Sequence, residues 1–286
     1  MNLTDPSVIK HVMQKFGKKF AKSLGQNFLT DDSVIEASVL ASGLNKDETA
    51  FEIGPGIGVL TSALAENAGN VVSIEIDTSL MELLDFTLAD YDNITVINDD
   101  FMKLDLNETA EKYFGGKKAR VVANLPYYIT TPVLVRLFDY KKYFSSITIL
   151  VQKEVAERMA ASPGKKDFGM LSLLTQYHTK ADIIKIVPPG AFMPPPKVSS
   201  AVIHLEMLEN PPVNPKNVDF MFKIIKASFA QRRKTLANGI SNAGLGLSRE
   251  DVTDALEKME KNPLLRGETL SLAEFADLSD ILYEKI

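Results

Sequence analysis

Asn124-Leu125-Pro126-Tyr127 follow an apolar segment and combine groups that could handle an amine. Pro126 has no N–H and keeps Leu125 extended, so the carbonyl oxygen before the proline is free to face a ligand. Together with the side-chain oxygen of Asn124, it would present two acceptors to an exocyclic amine. Tyr127 offers a flat face on which a purine could stack. We therefore predict a nucleobase site here, with a strand-terminating turn around a buried aromatic as the simpler alternative.

A glycine-rich loop occurs earlier in the chain. Gly54, Gly56 and Gly58 alternate with other residues, and Glu52 precedes them. Glycine lets a backbone approach a ligand closely, and the helix that follows would present its first amides to that ligand. The spacing G-x-G-x-G differs from the G-x-G-x-x-G of a dinucleotide pyrophosphate site. The loop therefore predicts a ligand site without a diphosphate, although an ordinary tight turn is the alternative.

Carboxylates end the next two predicted strands. Glu75 lies 21 residues after Gly54, where a carboxylate can accept hydrogen bonds from both hydroxyls of a ribose. This position predicts a nucleoside ligand but does not by itself separate NAD from other nucleosides. Asp99 or Asp100 could accept from the exocyclic amine of an adenine, and a turn is an equally natural use of the pair.

These groups together are consistent with in-line transfer of a methyl group from a sulfonium to an amine nitrogen. Such a reaction needs no metal and no strong base, because the nitrogen loses its proton only as it becomes cationic. Alignment and desolvation then supply most of the catalysis. The chain has no cysteine, which excludes a thiol nucleophile, such as carbon-5 methylation of a pyrimidine requires, and Cys-ligated metals. We expect no metal ion.

Helical and strand patterns alternate from residue 31 onward, which indicates an α/β fold with a mainly parallel sheet. Residues 187–197 contain five prolines, and we expect no regular element there. The predicted strands are 49–53, 70–75, 94–98, 119–124, 145–151, 180–187 and 199–207, and the predicted helices are 31–42, 58–68, 78–90, 131–139, 152–161 and 168–178.

The chain is expected to comprise three parts. Residues 1–30 form a basic extension, in which apolar residues from Val8 to Phe20 at helical spacing predict an amphipathic helix. Residues 31–210 form the α/β domain. The proline-rich segment 210–215 reads as a linker, and residues 211–286 form a purely helical domain.

Charge is segregated along the chain, although the net charge is only −5. Residues 1–30 carry +4 and residues 216–249 carry +6, whereas residues 31–210 carry −9 and residues 250–286 carry −6. Two basic blocks predict a polyanion that docks at a defined place, with solvated helix faces as the alternative. No apolar run approaches the roughly 20 residues that cross a bilayer, and the absence of cysteine fits a reducing compartment. We expect a cytoplasmic protein with no membrane partner.

Five segments resemble the ribosomal RNA adenine N6,N6-dimethyltransferases, and within that family the bacterial small-subunit enzymes. The resemblance implies a class I S-adenosylmethionine-dependent, Rossmann-like methyltransferase fold with a seven-stranded sheet and one antiparallel strand. It also implies that the C-terminal helical domain contacts RNA. The implied substrate is a pair of adjacent adenosines in the 3′-terminal hairpin of 16S rRNA within an immature 30S particle, a step linked to subunit maturation. The segments are residues 25–29, 52–58, 124–127, 188–198 and 228–238.

The resemblance also assigns roles to individual residues. Asn124 and the Leu125 carbonyl, shaped by Pro126, would hold the target amine, with Tyr127 and Phe192 on either side of a flipped base. The S-adenosylmethionine site would be lined by Asn27, Leu29, Gly54, Gly56, Glu75, Asp100 and Asn124. RNA phosphates would be contacted by Lys18, Lys19, Lys22, Arg232, Arg233 and Lys234.

Three alternatives stay open from the sequence. The 23S rRNA methylases that confer macrolide resistance share the upstream motif and the glycine loop, but resemble residues 187–198 less. A ribosome-assembly factor whose methyl transfer is secondary or lost would keep the same RNA contacts. An NAD-dependent oxidoreductase is disfavoured by the glycine spacing. No heptad repeat or large apolar stripe suggests a dimer, so we expect a monomer.

Overall fold

The structure, a computed structural model, describes residues 1–20, 25–231 and 233–286. The chain folds into two compact units, of which the first comprises Met1–Ala156 and Asp182–Met207 and the second comprises Glu157–Ala181 and Leu208–Ile286. The expected α/β domain 31–210 thus loses Glu157–Ala181 to the helical unit. The physical reason is burial, since Phe168, Leu173 and Tyr177 lie in the core of the second unit.

The first unit is built on a seven-stranded sheet. In chain order, its strands are β2 (Thr49–Ile53), β3 (Asn70–Glu75), β4 (Ile94–Asn98), β5 (Ala119–Asn124), β6 (Phe144–Gln152), β7 (Thr179–Val187) and β9 (Ser200–Met207); β1 (Phe28–Leu29) and β8 (Phe192–Met193) pair separately. The spatial order is β4-β3-β2-β5-β6-β9-β7. Neighbours from β4 to β6 are parallel, and β9 runs antiparallel to β6. β9 therefore supplies an antiparallel strand, as expected.

The strand order reverses between β2 and β5, because the chain adds β3 and β4 on one side before returning to place β5 on the other. In parallel sheets a crevice forms outside the carboxyl ends of the strands at such a reversal. Every residue of β2 is buried, as expected for a central strand covered on both faces. The glycine loop follows β2 and Asn124 ends β5, so the topology brings the two motifs to the same crevice.

Seven helices are described wholly or mainly within the first unit. They are α1 (Pro6–Lys15), α2 (Asp32–Ser42), α3 (Val59–Asn67), α4 (Met81–Thr87), α5 (Leu106–Tyr113), α6 (Thr130–Asp139) and α7 (Lys153–Met159). Helix α5 was not predicted from the sequence. Its start is marked by Asp105, whose carboxylate accepts hydrogen bonds from the backbone N–H groups of Asn107 and Glu108.

Helix α1 is shorter than predicted. It ends at Lys15, and Gly17 adopts a left-handed conformation with φ +62° that turns the chain. Ile9, Val12 and Met13 are buried in the core of the first unit, so this segment is part of the unit and not a detached extension. Lys18 and Lys19 therefore lie beyond the helix.

The expectation that residues 187–197 contain no regular element is wrong. Phe192 pairs with Leu29 in an antiparallel two-stranded ribbon formed by β8 and β1, and the N–H of Thr30 donates to the carbonyl of Ala191 at 2.9 Å. The prolines at 188, 189 and 194–196 flank this strand but do not enter it. Its own backbone N–H groups therefore stay available for pairing.

The second unit is helical, and no strand starts among its described residues after Met207. Its remaining helices are α8 (Met170–His178), α9 (Val218–Phe229), α10 (Leu236–Ser241), α11 (Arg249–Lys258) and α12 (Leu272–Tyr283). Ser248 and Ser271 cap α11 and α12 in reciprocal pairs with Asp251 and Glu274. Within the described part of the chain, no helix has both the length and the apolar character needed to span a membrane.

Candidate active site

A cavity of about 330 Å³ lies at the crevice outside the carboxyl ends of β2, β3, β4 and β5. Five short stretches supply most of its wall: residues 25–29, 52–56, 74–76, 99–102 and 124–129. Every residue predicted to contact the cofactor lines it, namely Asn27, Leu29, Gly54, Gly56, Glu75, Asp100 and Asn124. Leu125, Pro126 and Tyr127 line the same cavity.

Two glycines of the loop are required for different reasons. Gly54 has φ +75°, and a Cβ added there would meet no atom within 4 Å. Since Gly54 lines the cavity, the missing side chain leaves room for a ligand against the backbone. Gly56 has φ +63°, and a Cβ there would lie 2.9 Å from the ring of Phe28. Phe28 thus packs directly on the loop and ties it to the upstream segment.

Glu75 is a nearly buried carboxylate, with 4% of its surface exposed. Its Oε2 accepts a hydrogen bond from the N–H of Gly56 at 3.1 Å, and its Oε1 accepts one from the N–H of Asp77 at 2.8 Å. Each carboxylate oxygen can accept about two hydrogen bonds, so acceptor capacity is left for a ribose hydroxyl. Burial raises the pKa of Glu75, while these N–H donors oppose the shift.

Two apolar side chains of the cavity were not predicted from the sequence. Ile76 is 54% exposed and Met102 is 37% exposed, although both line the cavity. A flat base resting on them would remove this apolar surface from water. Asp100 lies beside them with its Oδ1 accepting from the N–H of Met102 at 2.9 Å, and its Oδ2 lies 3.7 Å from Nζ of Lys103.

The orientation of Asn124 is set by the upstream segment. Its Nδ2 donates a hydrogen bond of 3.0 Å to the backbone carbonyl of Asn27, which leaves its side-chain oxygen as an acceptor. The Asn27 amide in turn donates to the carbonyl of Gly25 at 3.0 Å. No described residue donates a hydrogen bond to the carbonyl oxygen of Leu125. Two acceptors on adjacent residues of the cavity wall are therefore available for an amine.

The two aromatic rings predicted to enclose a base are placed differently. Tyr127 is half-buried in the cavity wall, its hydroxyl lies 2.6 Å from that of Ser200, and burial raises the pKa of this hydroxyl. Phe192 is only 4% exposed, lies in the core of the first unit and does not line the cavity. The structure thus does not bring the Phe192 side chain to the cavity, and its stacking role stays a prediction.

The charges around the cavity all have one sign. Glu52, Glu75, Asp99 and Asp100 line it, and no Lys, Arg or His of the described residues does. Such a wall favours a cation and opposes a diphosphate. The charge and the open space at Gly54 therefore favour a sulfonium nucleoside over a dinucleotide diphosphate such as NAD.

Glu52 is the most deeply buried carboxylate of the cavity wall, with 1% of its surface exposed. It accepts a hydrogen bond of 2.6 Å from the Ser73 hydroxyl, and burial raises its pKa to about 7. Among the residues that the structure describes, no three His, Asp or Glu side chains are grouped so that they could hold a metal ion.

The basic residues predicted to contact RNA are only partly described. Lys18 is half-buried and Lys19 is exposed, and so are Arg233 and Lys234 in the second unit. Lys22 and Arg232 lie outside the described residues. Arg233 shares a shallow concavity with three basic side chains that sequence reasoning missed, and this basic concavity is lined by Gly164, Lys165, Lys166, Arg233, Arg266 and Glu268. Lys165 and Lys166 are adjacent, but they lie 67 or more residues from Arg233 and Arg266 in the chain, so no single charge run marks the cluster.

Known sequences of one family align with almost the whole chain. The family profile described as ribosomal RNA adenine dimethylase matches residues 17–279. Ribosomal RNA small subunit methyltransferase A of Lachnoclostridium phytofermentans is 47% identical over 286 residues, which cover 99% of each chain. The protein of the same name from Geobacillus thermodenitrificans is 44% identical, covering 98% of this chain and 97% of the relative.

Comparisons with solved structures concern the fold. A dimethyladenosine transferase from Plasmodium falciparum aligns with a TM-score of 0.73 at 24% identity, covering 88% of this chain and 95% of that one. The 23S rRNA methyltransferase ErmE aligns with a TM-score of 0.69 at 24% identity, covering 90% of this chain and 100% of that one. Both therefore share the architecture described above.

Proposed function

Because the chain belongs to the ribosomal RNA adenine dimethylase family, we propose that it dimethylates N6 of two adjacent adenosines in the 3′-terminal hairpin of 16S rRNA. The family and the class I S-adenosylmethionine-dependent fold predicted from the sequence are confirmed. The names of the relatives, which specify the small ribosomal subunit, support the choice of RNA. The substrate particle would be an immature 30S subunit, as the sequence resemblance implied.

S-adenosylmethionine supplies a methyl group on a positively charged sulfur. Glu75 would accept hydrogen bonds from the ribose hydroxyls with the positions that Gly56 and Asp77 leave free. Asp100 would accept from the adenine amine beside the apolar surfaces of Ile76 and Met102. The ionised carboxylates of the wall would favour the cation electrostatically.

The observation that carries the proposal is the hydrogen bond from Asn124 to the carbonyl of Asn27. It directs the free oxygen of Asn124 to act as an acceptor next to the Leu125 carbonyl. Two accepted hydrogen bonds draw the lone pair of an adenine amine out of the ring and hold it in line for transfer. Tyr127 would cover the base and exclude water, and the proton leaves only after the new bond has made the nitrogen cationic.

The second unit would hold RNA by its phosphates. Its basic concavity gathers Lys165, Lys166, Arg233 and Arg266 around Glu268, and clustered Lys and Arg side chains bind phosphate without reading sequence. In this arrangement the first unit would catalyse methyl transfer, and the second unit would contribute most of the affinity for RNA. Arg232, Lys234 and the N-terminal Lys18, Lys19 and Lys22 would add further phosphate contacts. We propose that the protein acts as a monomer in the cytoplasm.

A methyl-transfer assay tests the proposal. Labelled S-adenosylmethionine is supplied with immature small subunits from cells that lack this activity, with large subunits in parallel, and the product nucleosides are identified. We expect N6,N6-dimethyladenosine in small-subunit RNA alone. Label in large-subunit RNA would instead support a resistance-type methylase. No transfer despite cofactor binding would support an assembly factor, and binding of NAD but not S-adenosylmethionine in calorimetry would overturn the cofactor assignment.

A further inference from the structure

Tyr128 is an aromatic side chain left open to solvent at the active-site cavity. It is 60% exposed, which is the greatest exposure of any Phe or Tyr among the described residues, and it lines the cavity. Exposing a tyrosine ring to water forgoes the burial that most aromatic side chains obtain. Because Tyr128 directly follows Tyr127, its exposed ring is available to a ligand that binds at the cavity.

The local backbone gives the two neighbouring tyrosine side chains different environments. Tyr127–Ile129 form one turn of 3-10 helix after Pro126, in which successive side chains point about 120° apart. Tyr127 is half-buried and its hydroxyl is held by Ser200, whereas Tyr128 lines the cavity while most of its surface stays exposed to solvent. A Cβ at Gly25 would lie 3.6 Å from the Tyr128 ring, so the ring lies close beside the backbone of the upstream segment.

An RNA substrate whose target base enters this cavity would lose base stacking that an exposed aromatic ring could replace. An adenosine whose amine reaches Asn124 must leave its stack, and its neighbour in the RNA then loses one stacking partner. Aromatic side chains stack on bases of any sequence and recover part of that loss. We infer that Tyr128 stacks on the nucleotide next to the target adenosine and so positions the RNA strand at the cavity mouth.

The inference rests on the proposed function and adds an RNA-positioning residue to it. The cofactor is a less suitable partner for Tyr128, because the carboxylates that would recognise its nucleoside, Glu75 and Asp100, lie at or after the ends of β3 and β4, and Glu75 is nearly buried. Tyr128 instead follows β5, one residue beyond the segment that would hold the amine. Its loss should therefore weaken RNA use and leave cofactor affinity unchanged.

The kinetic test compares Tyr128→Ala, Tyr128→Leu and Tyr128→Phe with the wild type on immature small subunits. Leu40→Ala removes an apolar side chain that is 84% exposed on α2 and serves as the control. We expect Tyr128→Ala and Tyr128→Leu to lower kcat/KM for RNA by about 5- to 100-fold, the range for one lost base stack. Tyr128→Phe and Leu40→Ala should stay within about 2-fold of wild type, and all variants should bind S-adenosylmethionine alike in calorimetry.

A spectroscopic test reports stacking directly. A synthetic RNA hairpin carries 2-aminopurine beside the target adenosine, and its fluorescence is quenched when an aromatic ring stacks on it. We expect wild type and Tyr128→Phe to quench the probe at saturating protein, and Tyr128→Ala not to. Equal quenching by Tyr128→Ala, unchanged kcat/KM, or an equal loss of cofactor affinity would each overturn the inference.

The two proposals can fail separately. Wild-type transfer to small subunits combined with an unimpaired Tyr128→Ala variant would overturn only the role of Tyr128. If the wild type methylates large subunits instead, the same variants are compared on that RNA, and the role of Tyr128 is judged there. A wild-type protein that methylates neither RNA would overturn both proposals.

Discussion

The hydroxyl of Tyr127 lies 2.6 Å from the hydroxyl of Ser200, which is the fully buried first residue of β9. This contact anchors a ring of the cavity wall to the one strand that runs antiparallel to β6. The ring of Tyr127 is therefore held at both ends, by the backbone after Pro126 and by the sheet. A base that stacks on it meets a surface that is already in place.

The Tyr127–Ser200 contact predicts coupled effects on catalysis. Tyr127→Phe and Ser200→Ala should each lower kcat/KM for RNA by about 5-fold, since a hydrogen bond contributes on the order of 1 kcal/mol. The double variant should lose no more than either single variant, because both remove the same interaction. Steady-state kinetics on immature small subunits measures this, and additive losses would show that the two hydroxyls act independently.

Asn124→Ala should abolish most methyl transfer while RNA binding persists. The variant loses one amine acceptor and the bond to the Asn27 carbonyl, so we expect kcat to fall by about 100-fold or more. RNA affinity should stay within about 2-fold of wild type, because the basic residues that would bind phosphate are elsewhere in the chain. Asn67→Ala, at an exposed asparagine on α3, is the matched control. An equal collapse of RNA binding would contradict the division of labour between the two units.

Glu75→Gln should weaken binding of S-adenosylmethionine. An amide cannot accept on both sides as the carboxylate does, and it would place an NH₂ group against the N–H of Gly56 or of Asp77. A hydrogen bond to a charged group is worth about 1.5–3 kcal/mol, so calorimetry should show a dissociation constant about 10- to 100-fold higher. Glu66→Gln, at an exposed glutamate on α3, should bind normally, and unchanged affinity in Glu75→Gln would remove Glu75 from the ribose site.

Glu52 makes the free energy of unfolding depend on pH. Its pKa is about 7 in the folded protein against an ordinary value of 4.5, so the folded state holds this proton more tightly than the unfolded state does. Stability from this group is complete below about pH 4.5 and is lost as the pH rises to about 7. The full loss is about 3 kcal/mol.

Glu52→Gln isolates this contribution, because it keeps the shape of the side chain and an acceptor for Ser73 but cannot ionise. We expect the variant to match the wild type near pH 4.5 and to be more stable than the wild type at pH 8. Denaturant unfolding at both pH values measures the difference. The same difference at both pH values would mean that Glu52 does not titrate in this window.

The basic concavity of the second unit predicts a change in salt dependence. Arg233→Ala and Arg266→Ala should each weaken RNA binding and reduce the slope of log affinity against log salt by about 1. Arg249→Ala, at an exposed arginine on α11 outside the concavity, should leave the slope unchanged. Affinity for S-adenosylmethionine should be unaffected in all three variants. Unchanged slopes for Arg233→Ala and Arg266→Ala would place the phosphate contacts elsewhere.

Local sequence patterns predicted the central strands well, because each carries a short buried apolar run with a clear end. β2, β3, β4 and β5 have the predicted bounds. Helix α5 was missed although Leu106, Thr109 and Ala110 are buried at helical spacing, because the helix has only eight residues and its apolar stripe is correspondingly short. Its Asp105 cap followed by Glu108 was the available signal.

The candidate site was predictable where its residues terminate strands, as with Glu75 and Asn124. The exposure of Ile76 and Met102 was not predictable, because no local periodicity at either residue separates an exposed apolar side chain from a buried one. The pairing of Leu29 with Phe192 joins segments far apart in the chain. No periodicity in either segment marks such a pairing, since each strand has only two residues.

The β1–β8 ribbon sets limits on insertions and deletions. Side chains on a strand alternate between faces, so a slip of one residue could place Phe192 instead of Met193 opposite Phe28 and would turn the side chains of the slipped strand to the other face. It would also shift the Asn27 carbonyl that holds Asn124. The chain between the two strands can change length in its surface loops without disturbing the ribbon. The short span from Asn27 to Leu29 has no such loop, so we expect a single added or removed residue there to displace the carbonyl that holds Asn124 relative to the ribbon.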